Sequence, residues 1–321
     1  MTDKEPNPFD PDGPVSPDAP TGHTSPSLTA TGGDEASPSP ESRLPSNRSA
    51  QLAWGAVAVI LVAVIALVTY ALTDSPVTLR AVQRTTAAPE VVAQLAKVPT
   101  SVFDAVGATA PDTTLAAPTV VTGQPVLQSG GKPVVLYVGA EYCPFCAAER
   151  WPLIVALSRF GQFAGLKTMQ SAPLSVFPGT QTFSFVGAAY TSRYLAFTGV
   201  ELYSDAIDAQ GSFARIATLT PVQALALARY GTPLTTGTYP FVDIGNRMVT
   251  STSGFSPAVL VKQSQAAIAG DLSQADNPIT QAVVASANQL TAGMCAATGQ
   301  RPATVCTSRG VRDAAASLGT G

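Results

Sequence analysis

Cys143 and Cys146 stand three residues apart in "GAEYCPFCAAERWPLIVAL" (Gly139–Leu157), directly after an apolar run. Two thiols at this spacing can exchange with disulfides, supply half of a metal site, or close a small structural loop. A zinc site takes about four ligands, usually a second Cys-x-x-Cys or added histidines. The one histidine, His23, precedes a long apolar segment, and ten residues rather than two separate Cys295 from Cys306. Covalent haem attachment wants a histidine after the second cysteine, and residue 147 is alanine. A static staple across so short a loop gains less chain entropy than a long one. Disulfide exchange fits best, and it needs neither a metal nor an organic cofactor.

That chemistry requires a particular local structure. "VVLYVGA" (Val134–Ala140) is β-rich and short enough for a buried strand, launched from a turn at Gly130-Gly131. A helix follows over roughly Pro144 to Phe160, with Trp151, Leu153, Ile154, Leu157 and Phe160 at helical spacing. Pro144 suits the first turn, and Pro152 is expected to kink the interior. Cys143 then sits at the helix amino terminus, where free amides and the dipole favour thiolate. Cys146 lies one turn on, facing the same side, as a resolving thiol must. Of the nearby charges, Glu141 and Glu149 oppose the thiolate and Arg150 favours it. All three also read as ordinary solvated helix-end charge.

The remaining elements are local in origin. "PEVVAQLAKVPTSVFDAVG" (Pro89–Gly107) has helical apolar spacing that Pro99 splits into two short helices. "LKTMQS", "TQTFSFVGAAYT" and "RYLAFTGVELYS" read as strands with turns. "TPVQALALARYG" is a helix with a Thr220 cap, proline at its first position and a Gly231 stop. "YPFVDIGNRMVTSTSGFSPAVLVKQSQAAIAG" reads as strand, Gly245-Asn246 turn, strand, Gly254 break and helix. The closing region, about Asp276 to Leu318, is Ala-rich and helical, and no internal repeat is visible.

The amino-terminal part is of another kind. Residues 1–50 hold ten prolines and almost no large aliphatic side chains, with a net charge of −5 against −3 for the whole chain. Such a segment cannot offset its ordering entropy and is expected to be a disordered tail over 1–51. "LAWGAVAVILVAVIALVTYAL" (Leu52–Leu72) carries no charge. At about 1.5 Å per residue it covers roughly 30 Å, a bilayer's hydrocarbon thickness. Trp54 and Tyr70 lie near its ends, where aromatic rings prefer the interface. The long polar stretch before it and the absence of a small-x-small site argue for an uncleaved signal anchor. Arginines flank both sides, so charge gives little orientation. No basic patch points to nucleic acid.

Cys295 and Cys306 bracket "AATGQRPATV" with a glycine-proline turn. A structural disulfide is expected, contributing on the order of 3 kcal/mol for a loop of about a dozen residues. A second pair relaying electrons to Cys143–Cys146 is the sharper alternative, but no Cys-x-x-Cys helix start supports it. A disulfide there requires an oxidising compartment. That orients the chain in the cell membrane, single-pass, with the tail cytoplasmic and residues 73–321 extracytoplasmic. Its Ala/Gly-rich, Arg-over-Lys composition is associated with bacteria of GC-rich genome.

"VVLYVGAEYCPFC" resembles the strand-to-active-site segment of thioredoxin-fold proteins, and "TYPFVDIGNRMVTSTSGFSP" resembles that fold's second half. There the family has a cis-proline before a strand, a hairpin turn, an edge strand and a glycine before the last helix. The resemblance covers about Val134 to Gly270, with about fifty residues inserted between the halves. It implies that Cys143 is the nucleophile, Cys146 the resolving thiol and Pro240 the cis-proline facing them. It also implies that Tyr239 offers its backbone to an extended substrate strand. Tyr142, Pro144 and Phe145 complete the expected substrate contacts. More narrowly, the anchor, "GKPVVLYVGAEYCPFCAAERWPLIVALSRFGQF" and the distal cysteines resemble an uncharacterised prokaryotic family, domain of unknown function 929. Two departures stand out. Thioredoxins keep a buried Asp six residues before the first cysteine, where this chain has Tyr137, and the central dipeptide is Pro-Phe rather than Gly-Pro.

The expected architecture is an α/β thioredoxin-like fold, a central mixed sheet flanked by helices, over 123–275. An anchor over 52–72 and a linker with short helices over 73–122 precede it, and a helical extension with the disulfide over 276–321 follows. The expected function is a membrane-anchored thiol–disulfide oxidoreductase acting on protein thiols and disulfides of exported proteins, beside a membrane redox partner. The alternative is a non-catalytic binding or scaffold module of the cell envelope that keeps the fold.

Overall fold

The computed structural model of the protein describes residues 61–65, 84–108, 117–207, 211–231 and 239–319. The chain divides into two compact units, Met1–Thr73 and Asp74–Gly321. In the first, residues 61–65 are helical, and Leu61, Val62, Val64 and Ile65 expose their side chains. This short stretch lies inside the apolar run Leu52–Leu72. The rest of that run, the tail 1–51 and the linker 73–83 lie outside the described residues. Among the described residues no helix is long and apolar enough to cross a membrane.

The second unit begins with a short strand, β1 (Thr85–Thr86), then α1 (Pro89–Ala96) and α2 (Thr100–Val106). Pro99 caps α2 and ends the possibility of one continuous helix. Val91, Leu95, Val102 and Phe103 turn inward. Next come β2 (Thr119–Val120), β3 (Gln128–Ser129) and β4 (Lys132–Gly139). Between β3 and β4, Gly130 and Gly131 have φ of 56° and 74°, a left-handed pair that glycine adopts without a Cβ penalty. β4 starts two residues earlier than its apolar run because this hairpin extends it. α3 (Pro144–Ser158) is the site helix, and it continues through Pro152.

The segment after α3 supplies small antiparallel sheets: β5 (Gly161–Ala164), β6 (Lys167–Gln170), β7 (Gln181–Ser184) and β8 (Ala189–Ser192). β9 (Ala196–Glu201), β10 (Tyr203–Ile207) and β11 (Phe213–Arg215) follow. α4 (Pro221–Tyr230) opens with a complete capping box, Thr220 and Gln223 each satisfying the other's backbone amide. β12 (Phe241–Ile244) and β13 (Met248–Thr250) form the hairpin expected at Gly245-Asn246. After Gly254 the chain first makes a 3₁₀ turn (Pro257–Leu260), and only then α5 (Gln265–Asp271). The chain closes with α6 (Pro278–Ala297), α7 (Ala303–Cys306) and α8 (Arg309–Leu318).

β4 is the centre of a mixed sheet. β12 pairs with it antiparallel, Phe241 opposite Val138 and Ile244 opposite Val135. On its other side β9 runs parallel, from Val134 opposite Ala196 to Gly139 opposite Glu201. β13 and β2 extend the β12 side. Period-two alternation divides the strand between two cores. Val135 and Tyr137 enter the larger core, with Trp151, Ile154, Val283 and Met294 of α3 and α6. Val134, Leu136 and Val138 enter a smaller core against Ala226 of α4. Helices therefore cover both faces, which is why β4 reads as an uninterrupted apolar run.

The region expected as an extension, and the short helices expected in the linker, share the larger core with α3. The Asn288 side-chain amide donates to the carbonyls of Phe103 (2.9 Å) and Gly107 (2.7 Å), joining α6 to the end of α2. Cys295 and Cys306 form a disulfide joining α6 to α7, with Cα atoms 5.6 Å apart.

Candidate functional site

Cys143 occupies the position between strand and helix that its chemistry demands. β4 ends at Gly139, and the Cys143 amide donates back to the Ala140 carbonyl at 3.2 Å, closing a tight turn. Cys143 is the N-cap of α3, with φ −79° and ψ 124°, and Pro144 fills the first helical position. Its sulfur accepts the Cys146 amide at 3.3 Å, so a cysteine does here what Ser or Asp does at an ordinary cap. Both Cys143 and Cys146 are free thiols. Cys143 retains 8% exposure and Cys146 none, so Cys143 is the more accessible of the two buried residues.

The two thiols are pushed in opposite directions. Cys143 is held below the ordinary thiol range, first because the Cys146 thiol donates to it, then by the Cys146 and Phe145 amides and the Arg150 charge; burial opposes this. Cys146 is held well above that range by burial, and next by its neighbour Cys143. One nucleophile and one protonated partner are the starting state for attack followed by resolution.

Aromatic rings form a collar. Ala140, Cys143 and Cys146 make a small buried cluster against which Tyr142, Phe145, Tyr203 and Tyr239 pack. Tyr142 stacks on Phe213 at 3.8 Å between ring centres, and its hydroxyl shares a hydrogen bond of 2.9 Å with that of Tyr239. Phe145 meets Phe177 edge-on at 6.0 Å. The Tyr142 carbonyl accepts the Ala172 amide at 3.0 Å, tying the loop after β6 to the site. The Tyr239–Pro240 peptide is cis, and Pro240 is buried at the entrance to β12. The structure thus gathers Cys143, Cys146, Tyr142, Phe145 and Tyr239, with Pro144 next to Cys143 and Pro240 next to Tyr239 in the chain. Cys295 and Cys306 stand apart, on α6 and α7.

The charges correct one expectation. Glu141, Glu149 and Arg150 are not solvated helix-end charges; they are 0%, 1% and 0% exposed. Helix α3 is buried nearly all round, so its polar side chains must find partners inside. Arg150 makes a two-pronged ion pair with Glu201, at 2.9 and 2.7 Å, and also donates to the Ala140 carbonyl at 2.9 Å. Glu141 accepts from both Arg84 and Ser184. Glu149 accepts the Gly254 amide at 3.0 Å. Tyr137 is fully buried with the Arg150 guanidinium 5.6 Å from its ring centre. Gly139 makes room for it, since a Cβ there would collide with the Tyr137 ring.

Sequence reasoning missed Arg84, Glu201, Tyr203 and Phe213. Glu201 carried a signal, being the one acid in the otherwise apolar "LAFTGVELY". Arg84 carried none, since it stands in a stretch that reads as linker.

The second unit is a mixed α/β domain that carries a Cys-x-x-Cys pair at the start of α3. Over residues 120–296 the chain matches the family described as Domain of unknown function (DUF929), and it belongs to that family. Comparisons with curated proteins and with solved structures gave no match.

Proposed function

We propose that the protein is a membrane-anchored, extracytoplasmic thiol–disulfide oxidoreductase of thioredoxin-like fold that acts on exported proteins through Cys143 and Cys146. The observation that carries this reading is Cys143 at the N-cap of α3, its sulfur accepting the Cys146 amide, while Cys146 lies buried one turn behind. The strand order β13-β12-β4 with β9 parallel on the far side of β4 supports the fold reading. The uncharged run Leu52–Leu72 supports the anchor, and the Cys295–Cys306 disulfide fits an oxidising compartment.

In the reducing direction the Cys143 thiolate attacks one sulfur of a substrate disulfide. A Cys143–substrate disulfide forms and the other substrate sulfur leaves as thiolate, taking a proton from solvent. Cys146, deprotonated, then attacks the Cys143 sulfur, and the Cys143–Cys146 disulfide forms as the second substrate thiolate leaves. Two electrons pass to the substrate; run backwards, the same steps oxidise a substrate dithiol. Tyr239 presents backbone to an extended substrate strand beside this centre.

The test is equilibration of the purified full chain with glutathione buffers of graded potential, reading the Cys143–Cys146 state by mass. A couple that titrates reversibly and disappears in Cys143→Ser is the expected result. A pair that never exchanges with glutathione would overturn the reading. It would leave a binding or scaffold module, which the near-complete burial of both thiols and the absence of an acid at Tyr137 favour.

A further inference from the structure

The resolving thiol, Cys146, sits in a pocket with no carboxylate at Tyr137, so the electrostatics behind the couple must come from elsewhere. Arg150 is one helical turn beyond Cys146 on α3 and wholly buried. Its guanidinium bridges two elements. Nε and Nη2 grip both oxygens of Glu201, the last residue of β9, and Nη2 also donates to the Ala140 carbonyl. That carbonyl is the one that accepts the Cys143 amide and closes the turn carrying the nucleophile. The remaining nitrogen, Nη1, is buried and finds no hydrogen-bond partner among the described residues. Two-pronged pairing to a carboxylate holds a guanidinium in one orientation, which a lysine ammonium cannot match.

We propose that Arg150, locked by Glu201, is the positioning residue of the Cys143–Cys146 couple, fixing the Ala140–Cys143 turn and supplying the buried positive charge behind the two sulfurs. This rests on the oxidoreductase reading and deepens it. The titratable or charged groups around the sulfurs are Arg150 on α3 itself, Tyr137 of β4, Tyr142 of the turn, Tyr203 of β10 and Tyr239 before β12. Glu201 of β9 acts on the sulfurs through Arg150, Glu141 is taken by Arg84 and Ser184, and Glu149 turns away to Gly254. Arg215 lies over the outer ring of this set, 5.6 Å from the Tyr203 ring centre, and Arg150 is the fully buried cation among the described residues around the sulfurs. Its charge favours both thiolates, and the charge of Glu201 opposes them through the same pair.

The experiment follows iodoacetamide alkylation of Cys143 against pH in the full chain, by peptide mass, with folding of each variant checked by circular dichroism. Arg150→Met removes the charge and should raise the pH midpoint by about one unit, an about tenfold loss of thiolate at a fixed pH below it. Glu201→Gln keeps one acceptor oxygen for the guanidinium but removes the second acceptor and the opposing charge, and it should lower the midpoint. Arg150→Lys retains charge and should restore most of the shift. Opposite shifts for Met and Gln are the result expected, since general disruption would move both variants the same way. Folded variants with no shift, or with shifts of one sign, would overturn the proposal. Truncating one member of a buried pair threatens the fold, so if Arg150→Met does not fold, Glu201→Gln decides by the sign of its shift. Alkylation needs no disulfide partner, so failure of the wild type to exchange with glutathione would remove the oxidoreductase reading and leave this comparison intact.

Discussion

Glu149 on α3 and Gly254 after β13 are joined by a single bond, the Gly254 amide donating to one carboxyl oxygen at 3.0 Å. The other oxygen is buried and meets no partner among the described residues. Burial lifts this carboxyl to about 8, with the Gly254 bond acting against it. The folded protein thus keeps a proton that the unfolded chain releases above about 4.5, and stability falls as pH rises between those values. Glu149→Gln should remove most of that slope. By denaturant unfolding it should match the wild type near pH 5 and exceed it by about 1–3 kcal/mol near pH 8. Asp243, raised by burial to about 6, supplies part of the slope that remains. Equal stabilities at both pH values would sink the argument.

The two thiols should differ sharply in reactivity. At neutral pH a mild alkylating agent should modify Cys143 well before Cys146, because Cys146 is fully buried and its thiol is held high. In Cys146→Ser, a mixed disulfide between Cys143 and a small thiol should accumulate rather than resolve, visible as an intact-mass adduct. Labelling of Cys146 first would reverse the assignment of roles.

The collar should limit access to Cys143 and, by burying it, work against its thiolate. Tyr142→Ala removes both the stacking on Phe213 and the hydroxyl contact with Tyr239. Cys143 alkylation should become faster, and the pH midpoint of that reaction should fall as burial of the thiol is relieved. A slower reaction or a raised midpoint would mean that Tyr142 helps to hold the thiolate rather than to cover it.

Replacing both Cys295 and Cys306 by alanine should cost about 2–4 kcal/mol of stability and leave Cys143 alkylation unchanged. Denaturant titration and the labelling rate check the two halves. A change in Cys143 labelling would tie the distal disulfide to the site after all.

Legibility tracked the range of the interactions. Pro99 between two helices, the Thr220–Gln223 box and the Gly245-Asn246 hairpin are set by neighbours a few residues apart, and each stands where the sequence places it. The cysteine-bearing strand and helix were legible for the same reason. The polar interior was not. Arg84 and Glu141 are 57 residues apart in the chain, and Arg150 and Glu201 are 51. No local pattern links such pairs, so the three charges near the cysteines read as solvated. The 3₁₀ turn after Gly254 was hidden likewise. Phe255 and Leu260, both fully buried, are held in the larger core, and α5 starts only beyond them.

The segment that leads into the domain also bears on how force reaches it. Arg84 grips Glu141, two residues before Cys143, and the next two residues, Thr85 and Thr86, lie antiparallel along β6. A pull on the segment before Arg84 would reach this clip before it reached the Cys143 turn. The clip comprises the ion pair, the two strand pairings, the Ala87 amide on the Leu166 carbonyl and the Lys167 ammonium on the Thr86 hydroxyl. The strand that enters the domain thus also holds in place the carboxylate that stands two residues before Cys143.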